Sequence, residues 1–184
     1  MISMDNFVDR LQPWTEGESG SQPLRRLDKT LVHKHREENV FVARIEQVES
    51  GDEDSFIVQL FLESDHAFFF EHPLDHYPGL MLVEAGRQAA TALTHLFYGV
   101  PLDSMFILQG LSVDFTTFAE LREPVFILSR VREKKLKQAR LTGMFCEGVF
   151  IQRGKPIGSM SGRWQIFDRR AANRLRSISR VAGS

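Results

Sequence analysis

The main feature of the chain's hydrophobic pattern is a helix-type repeat that begins after Pro78 and Gly79. Apolar residues recur there at steps of three and four, which places them on one face of a helix; they are Leu82, Ala85, Ala89, Leu93 and Leu96. Other apolar residues fill most of the remaining positions up to the stop signal YGVP. A helix that is apolar nearly all round is a buried helix. The sequence therefore predicts one long buried helix from Leu80 to about Phe97.

Strand-type patterns lie on both sides of this helix. Before it, residues 40–49 alternate and residues 55–63 are rich in β-branched and aromatic residues, with the turn signal SGDED between them. Residues 31–34, LVHK, form a short possible strand. After the helix come four strand-like segments, residues 105–116, 124–132, 139–151 and 157–168. No helical pattern separates these four, so we expect an antiparallel meander. The predicted fold class is α+β: one long buried helix wrapped by a curved antiparallel β-sheet, the hotdog architecture.

Composition limits the class of protein. The 184 residues, 42% hydrophobic and 26% charged, suit one globular domain that needs no disulfide or metal to hold its core. Cys146 is the only cysteine, which fits a reducing compartment. We find no signal-peptide pattern and no apolar run long enough to cross a membrane, so we expect a cytoplasmic protein without membrane contact. The expected organisation is a flexible segment at 1–28, a single hotdog domain at 29–168 and a basic tail at 169–184.

Charge is distributed unevenly along the chain. All 24 acidic residues lie at or before Asp168, and five arginines follow it. A second basic cluster, RVREKKLKQAR, contains Lys134, Lys135 and Lys137. Such clusters suit nucleic acid or an acidic protein partner, and they are also common on solvated hairpins and tails. Since the body is acidic and no nucleic-acid-binding motif is present, no nucleic acid partner is expected.

The buried helix carries one polar face. Its polar residues are spaced so that they share one side of the helix; they are Glu84, Arg87, Gln88, Thr91 and His95. Charges inside a buried helix need a reason, because desolvation costs several kcal/mol per ion. One interpretation is an inert ion pair at a subunit contact. The other is a cavity for a thioester, with Arg87 and Gln88 among its binding residues, the backbone N–H groups of Gly79 and Leu80 polarising the carbonyl, and Glu84 moving protons.

Two histidines precede the helix in the segment EHPLDH. His72 and His76, with Glu71 and Asp75, have the composition of a metal site. However, Pro73 argues against a helix that would align them, and no further ligand is evident. We therefore expect no metal and no cofactor, and we assign His72 and His76 to acid–base chemistry or to orientation of the site.

Three segments resemble the A-factor biosynthesis (AfsA-type) hotdog family. They are KTLVHKHREENVFV, FFFEHPLDHYPGLMLVEAGRQAA and FYGVPLDSMFILQGLSVDF, and the similarity runs from about Thr30 to Phe167. The segment PGLMLVEA is also similar to the β-hydroxyacyl-carrier-protein dehydratases, in which Pro-Gly precedes a helix with an active-site glutamate. By that match Glu84 falls on the dehydratase glutamate and, with a gap, His72 on the dehydratase histidine.

The resemblance implies an activity. Members of the AfsA-type family are taken to join a β-ketoacyl group from acyl carrier protein to glycerone phosphate, on the way to γ-butyrolactone or butenolide signals. They usually carry two hotdog units, whereas this chain has one, so we expect a homodimer. Alternative activities are a dehydratase, a thioesterase or a non-catalytic acyl-binding subunit. The expected partners are acyl carrier protein, docking on Lys134, Lys135 and Lys137, or an acyl-coenzyme A thioester.

Overall fold

The helix predicted from the apolar repeat is present as α1 (Gly79–Tyr98) in the computed structural model, which describes residues 24–48, 54–169 and 173–174. Pro78 precedes the helix in an extended conformation, and the carbonyl of Pro78 accepts hydrogen bonds from the N–H groups of Met81 and Leu82. Gly99 ends the helix with a φ of 63°, and its N–H donates to the carbonyl of Thr94. A left-handed glycine is a common helix end because it has no Cβ to clash.

Eight strands of the described chain accompany the helix. Their bounds are β1 (Val42–Gln47), β2 (Ser55–Leu60), β3 (His76–Tyr77), β4 (Met105–Phe115), β5 (Ala119–Glu120), β6 (Val125–Lys137), β7 (Arg140–Gln152) and β8 (Lys155–Phe167). Six form one antiparallel sheet in the order β1-β2-β6-β7-β8-β4, and β3 pairs with β5 in a separate two-stranded ladder. A single turn of 3-10 helix, Glu37–Asn39, precedes β1. The predicted α+β hotdog architecture is confirmed.

The order of the last four long strands differs from the prediction. Strands β6, β7 and β8 form a meander through two tight turns, but β4 pairs with β8 at the far edge of the sheet and not with β6. The predicted four-strand meander is therefore wrong. Strand β6 pairs with β2, so residues 116–124 carry the chain across from one edge. An alternating pattern identifies a strand but not its neighbours. The short strand expected at residues 31–34 is also absent, because residues 30–33 form a turn in which His33 has a φ of 56°.

The core lies between α1 and one face of the sheet. The sheet-facing side of α1 is built from small and apolar residues, among them Ala85 and Ala89, which pack with Phe150 and Met160. A Cβ added at Gly86 would lie 2.6 Å from the sulfur of Met160, so the helix approaches β8 closely only because glycine occupies that position. This close packing holds the N-terminal half of α1 against β8.

Strand β4 forms one edge of the sheet and is apolar. Among the described strands it pairs with β8 alone, and it exposes four large hydrophobic side chains to between 40 and 46% of their full area; they are Ile107, Leu108, Leu111 and Phe115. An eleven-residue apolar edge leaves backbone N–H and C=O groups open to pairing with another chain.

Several predictions fall outside the described residues. The flexible segment is described only from residue 24, the turn SGDED only at Asp54, and the basic tail only at residues 169, 173 and 174. The domain boundaries at residues 28 and 168 therefore stay predictions. Among the helices of the described residues, none has the length and apolar composition needed to cross a membrane.

Candidate functional site

An open cavity of about 360 Å³ lies at the N-terminal end of α1, and we call it the helix-start pocket. Gly79 and Leu82 supply the helix side of its wall, and His76 and Tyr77 supply the side of β3. The remaining wall is the end of β4 and the turn after it, from Phe115 to Ala119. The pocket is mostly apolar with a few polar groups at its edge, which is the usual composition of a small-molecule site.

His76 supplies an imidazole to this wall. Its Nδ1 lies 2.7 Å from Oδ1 of Asp75, and its ring centroid is 4.7 Å from that of Phe118. A carboxylate can only accept, so Nδ1 carries the hydrogen and the neutral ring keeps a lone pair on Nε2. The hydrogen bond from His76 lowers the pKa of Asp75. An imidazole in this tautomer has the chemistry of a proton acceptor.

Gly79 places the helix start directly against β4. A Cβ at this position would lie 2.9 Å from Cε2 of Phe115, closer than unstrained contacts allow. The first N–H groups of a helix have no intrahelical partner, and the first two in α1 belong to Gly79 and Leu80. The side chain of Leu80 is turned away, with the residue 72% exposed, so its contribution to a site is limited to its backbone. These two N–H groups carry the positive end of the helix dipole.

Glu84 lies in a hydrogen-bonded cluster that we call the Glu84 network, made of Lys34, Glu84, Arg87 and Gln88. Arg87 donates from Nε to Oε2 and from Nη2 to Oε1, both at 2.8 Å. Lys34 Nζ and Gln88 Nε2 donate to Oε1 at 2.8 and 3.0 Å. The Glu84 side chain is only 23% exposed. Both of its oxygens are therefore engaged within the protomer.

The network holds Glu84 ionised. Burial alone would raise the pKa of Glu84, but the hydrogen bonds and charge of Arg87, helped by Lys34 and Gln88, lower the pKa to about 2. A carboxyl group with such a pKa has no proton to donate near neutral pH. Its role as an acid or base stays a prediction; the geometry supports a role in holding Arg87 and Lys34.

Gln88 ties the helix to the N-terminal segment, residues 24–41. Its Oε1 accepts from the backbone N–H of Phe41, and its Nε2 donates to the carbonyl of Asn39, both at 2.8 Å. Arg87 also donates to the carbonyl of Val32 at 3.3 Å. The polar face of α1 is thus covered by the chain's own N-terminal segment, which satisfies the buried amide of Gln88.

The structure separates the predicted site residues into two groups. The helix-start pocket contains His76 and Gly79, whereas Glu84, Arg87 and Gln88 face the N-terminal segment. From Gly79 to Glu84 the helix advances about 7.5 Å and turns by roughly 140°. His72 is exposed in the loop before β3. Within one protomer the structure does not bring Glu84 to His76.

The three lysines predicted to dock carrier protein lie in different surroundings. Lys134 Nζ lies 2.7 Å from Oδ2 of Asp54, so a carboxylate offsets its charge. Lys135 and Lys137 line a groove of about 690 Å³ that also includes Arg140 and Gln165. Gln165 lies seven positions along β8 from Gly158, which packs against Phe115, so the groove lies roughly 23 Å from the helix-start pocket.

Clusters of metal-ligand residues and the thiol of Cys146 are the other groups that could be reactive. No set of three or more His, Cys, Asp or Glu side chains is placed to hold a metal ion within the described parts of the chain. Cys146 is buried in the core, and burial, with the charge of Asp54, raises the pKa of its thiol to about 12. A thiol with this pKa is not a nucleophile.

Sequence reasoning missed part of the pocket wall and part of the network. Phe115 is the last apolar residue of the alternating LSVDF pattern, and its position beside a helix start could not be read from that pattern. Lys34 was hidden because residues 31–34 resemble a strand, although residues 31–33 belong to a turn that brings Lys34 to Glu84. Tyr77 has no sequence signal beyond its place between His76 and Pro78.

The fold and pocket define a class of protein: a single hotdog unit with an open apolar pocket where its helix begins. The chain belongs to the A-factor biosynthesis hotdog domain family, whose model matches residues 16–168. This confirms the resemblance found in the sequence.

Curated relatives are longer than this chain. The 2-oxo-3-(phosphooxy)propyl 3-oxoalkanoate synthase of Streptomyces virginiae is 32% identical over 88 residues, which are 46% of this chain and 28% of that protein. The synthase of the same name from Streptomyces coelicolor is 31% identical over 113 residues, 61% of this chain and 34% of that protein. The matched part thus covers about a third or less of each relative.

Solved structures share the fold at low identity. The dehydratase heterocomplex ApeI:P of Xenorhabdus doucetiae superposes with a TM-score of 0.59 at 16% identity, covering 77% of this chain and 91% of that one. A putative thioesterase related to phenylacetic acid degradation from Ralstonia eutropha JMP134 has a TM-score of 0.50 at 15% identity, covering 66% and 83%. These similarities support the hotdog fold alone.

Proposed function

We propose that this chain is an acyltransferase that moves a β-ketoacyl group from a carrier-protein thioester to glycerone phosphate, in the biosynthesis of a γ-butyrolactone, a butenolide or a related secondary metabolite. The proposal depends on one observation, the apolar pocket at the start of α1 with His76 and Gly79 in its wall. The names of the Streptomyces relatives supply the substrate class.

The lining of the pocket would supply the groups that acyl transfer requires. The acyl chain would lie against Leu82 and Phe115, with its carbonyl oxygen at the N–H groups of Gly79 and Leu80. His76 Nε2 would accept the proton of the acceptor hydroxyl as its oxygen forms a bond to the carbonyl carbon. The helix-start N–H groups stabilise the resulting oxyanion. The carbon–sulfur bond then breaks, and the proton passes from His76 to the sulfur of the leaving thiol.

Within one protomer the Glu84 network lies apart from His76, so it would serve the phosphorylated acceptor only where a second protomer brings its own network to the pocket. It combines two cationic groups, Lys34 and Arg87, with one carboxylate, so it keeps one excess positive charge. Its side chains are partly exposed, and guanidinium groups bind phosphate well. Replacing Arg87 with Ala should therefore raise the KM for glycerone phosphate and leave the binding of the acyl thioester unchanged. His72, in the exposed loop, is assigned an orienting role toward the same acceptor.

The expected homodimer would complete the site. Strand β4 is an open apolar edge, and its last residue, Phe115, is also part of the pocket wall. A second protomer on this edge would cover exposed hydrophobic area and close the open side of the pocket. Natural proteins rarely leave a long apolar edge strand uncovered, which supports association through β4.

Carrier protein would dock on the basic groove. Lys135 and Lys137 line it, whereas Lys134 is already paired with Asp54. Changing Lys135 and Lys137 together to Glu should weaken carrier binding at low salt, because docking of acidic partners is electrostatic. Lys134 is left unchanged in this test, since its replacement would also break an internal ion pair. Unchanged affinity would remove the groove from the proposal.

Mass spectrometry of a β-ketoacyl carrier protein tests the reaction. We expect the carrier to lose its acyl group only when both the protein and glycerone phosphate are present. Replacing His76 with Ala should slow this loss about 10²- to 10⁴-fold, the usual share of a general base. His35, exposed and outside both groups, is the matched control and its Ala variant should keep full activity. Release of free acid without the acceptor would indicate a thioesterase, and loss of water from a β-hydroxyacyl group a dehydratase.

A non-catalytic acyl-binding subunit is the second candidate. It is favoured by the engagement of both Glu84 oxygens within the protomer, since the residue matching the dehydratase glutamate then has an internal role. Such a subunit would bind acyl thioesters and leave all of them intact in the same assay. Binding without turnover in both wild-type protein and the His76→Ala variant would establish it.

A further inference from the structure

Two cavities share one lining residue. A second cavity of about 240 Å³, which we call the side pocket, lies beside the end of β2 and the start of β6. Its wall includes Leu24, Leu60, Leu62 and Val125. Among the described residues that line the two cavities, Tyr77 alone belongs to both. Tyr77 therefore stands between the helix-start pocket and the side pocket.

Tyr77 is held firmly in this position. The residue is 6% exposed and belongs to the main core cluster with Leu82 and Val125. Its hydroxyl donates to the carbonyl of Leu62 at 3.3 Å, in the wall of the side pocket. Burial raises the pKa of Tyr77, while the backbone N–H of Arg122 opposes this effect, so the phenol stays neutral. A buried aromatic ring with both its edge and its hydroxyl fixed makes a rigid partition.

We propose that Tyr77 sets the length of acyl chain that the protein accepts, by closing the helix-start pocket off from the side pocket. This inference rests on the proposed function, because it treats the occupant of the helix-start pocket as an acyl thioester. The chain would extend from the carbonyl at Gly79 past Leu82 and end at the ring of Tyr77. The side pocket lies on the other side of Tyr77, and its wall combines apolar residues with Gln59, Glu63, Arg122 and Glu123. Without the ring, its apolar part would accept further methylene groups.

Binding of acyl-coenzyme A thioesters of increasing length, from hexanoyl to tetradecanoyl, tests this directly with the full chain and without any acceptor. The coenzyme A part is the same throughout, so differences along the series report the acyl chain alone. In wild-type protein the dissociation constant should fall about fourfold per methylene and then level off once the pocket is full. In Tyr77→Leu the dissociation constant should go on falling for at least two more methylenes. For the longer chain, this variant should therefore bind about fifteenfold more tightly than wild type.

Two further variants test whether the ring of Tyr77 and the room in the side pocket account for the limit on chain length. Tyr77→Phe keeps the ring and should keep the wild-type profile. Leu24 is 46% exposed at the side pocket, so Leu24→Trp can fill that cavity without disturbing the core. Added to Tyr77→Leu, it should return the profile to that of wild type. Circular dichroism and thermal melts confirm that each variant is folded, and Tyr77→Val serves if the Leu variant is not.

The outcomes separate this inference from the proposed function. If wild-type protein binds acyl thioesters with a plateau and the folded Tyr77 variant shows the same plateau, the partition is refuted and the acyl-binding site remains. If the double variant keeps the gain, the extra room is not the side pocket and the inference is also refuted. If wild-type protein binds no member of the series, the acyl-thioester proposal fails and the inference fails with it.

Discussion

Replacing Glu84 with Gln is the most informative single change, because the structure shows which groups bind both oxygens of that carboxylate. Its two oxygens accept four hydrogen bonds, two from Arg87 and one each from Lys34 and Gln88. The substituted side chain would have nearly the same shape but no charge, and its amide group would face two cations. The variant therefore removes the electrostatic contribution while leaving the packing in place.

The size of the effect follows from the pKa. A pKa of about 2 in place of the usual value of 4.5 corresponds to about 3 kcal/mol of preference for the ionised form. The groups are 23 to 30% exposed, so solvent screening reduces this figure. We expect the free energy of unfolding at neutral pH to fall by about 2 kcal/mol. For a chain of this length the melting temperature should fall by about 4 to 8 °C.

Urea unfolding at several pH values is the decisive assay. The pKa of Glu84 is depressed in the folded state, so its contribution is fully present above about pH 5 and is lost as the pH falls toward 2. Glutamine does not titrate, and the difference between wild type and variant should therefore shrink steadily as the pH is lowered below about 5.

An exposed ion pair supplies the control. Glu147 pairs with Arg132 at the surface, with about half of each side chain accessible, and Glu147→Gln should cost well under 1 kcal/mol. If Glu84→Gln is no less stable than Glu147→Gln, or if its cost does not change with pH, Glu84 is not held ionised by its neighbours. A variant that loses acyl transfer but no stability would instead assign Glu84 a role in the reaction itself.

Three other features of the fold can each be tested by one experiment. Gly79→Ala should cost about 1–3 kcal/mol in urea unfolding, since the new methyl group meets Phe115 at 2.9 Å, and adding Phe115→Leu should recover most of it; an unaffected single variant would contradict the contact. Cys146 should react with iodoacetamide only after denaturant is added, because it is buried with a pKa of about 12, and labelling of folded protein at mildly alkaline pH would contradict this. If the proposed homodimer forms through β4, Leu108→Lys on that edge should convert it to monomers in sedimentation experiments, and a dimer that the substitution leaves intact would exclude β4 as the interface.

The sequence alone was sufficient to predict the helix and to locate the long strands. The apolar repeat after Pro78 located α1 to within a residue or two, because a buried helix and its start signal both leave a local pattern. The position of β4 beside β8 was not predictable in the same way. Which strand edges meet depends on the path of residues 116–124 across the sheet, and no local pattern encodes that path.

The candidate site was likewise only partly predictable from the sequence. Gly79 and His76 were identified from the sequence, and the structure places both in the helix-start pocket. The direction in which Glu84 points was not predictable, because it depends on contacts with Lys34, about fifty positions earlier in the chain. A carboxylate on a buried helix signals that a partner exists, but the sequence does not reveal which segment provides it.

The hydrogen bonds between α1 and residues 32–41 limit how far the chain can be shortened. A gene designed to begin at the first strand of the sheet would delete Lys34, the carbonyls of Val32 and Asn39, and the N–H of Phe41. Each buried polar group that loses its hydrogen-bond partner in this way lowers the free energy of unfolding by about 1–3 kcal/mol. Together these losses would approach the entire stability of an ordinary domain. Truncated versions should therefore keep every residue from Leu31 onward, although none of residues 31–41 belongs to a strand.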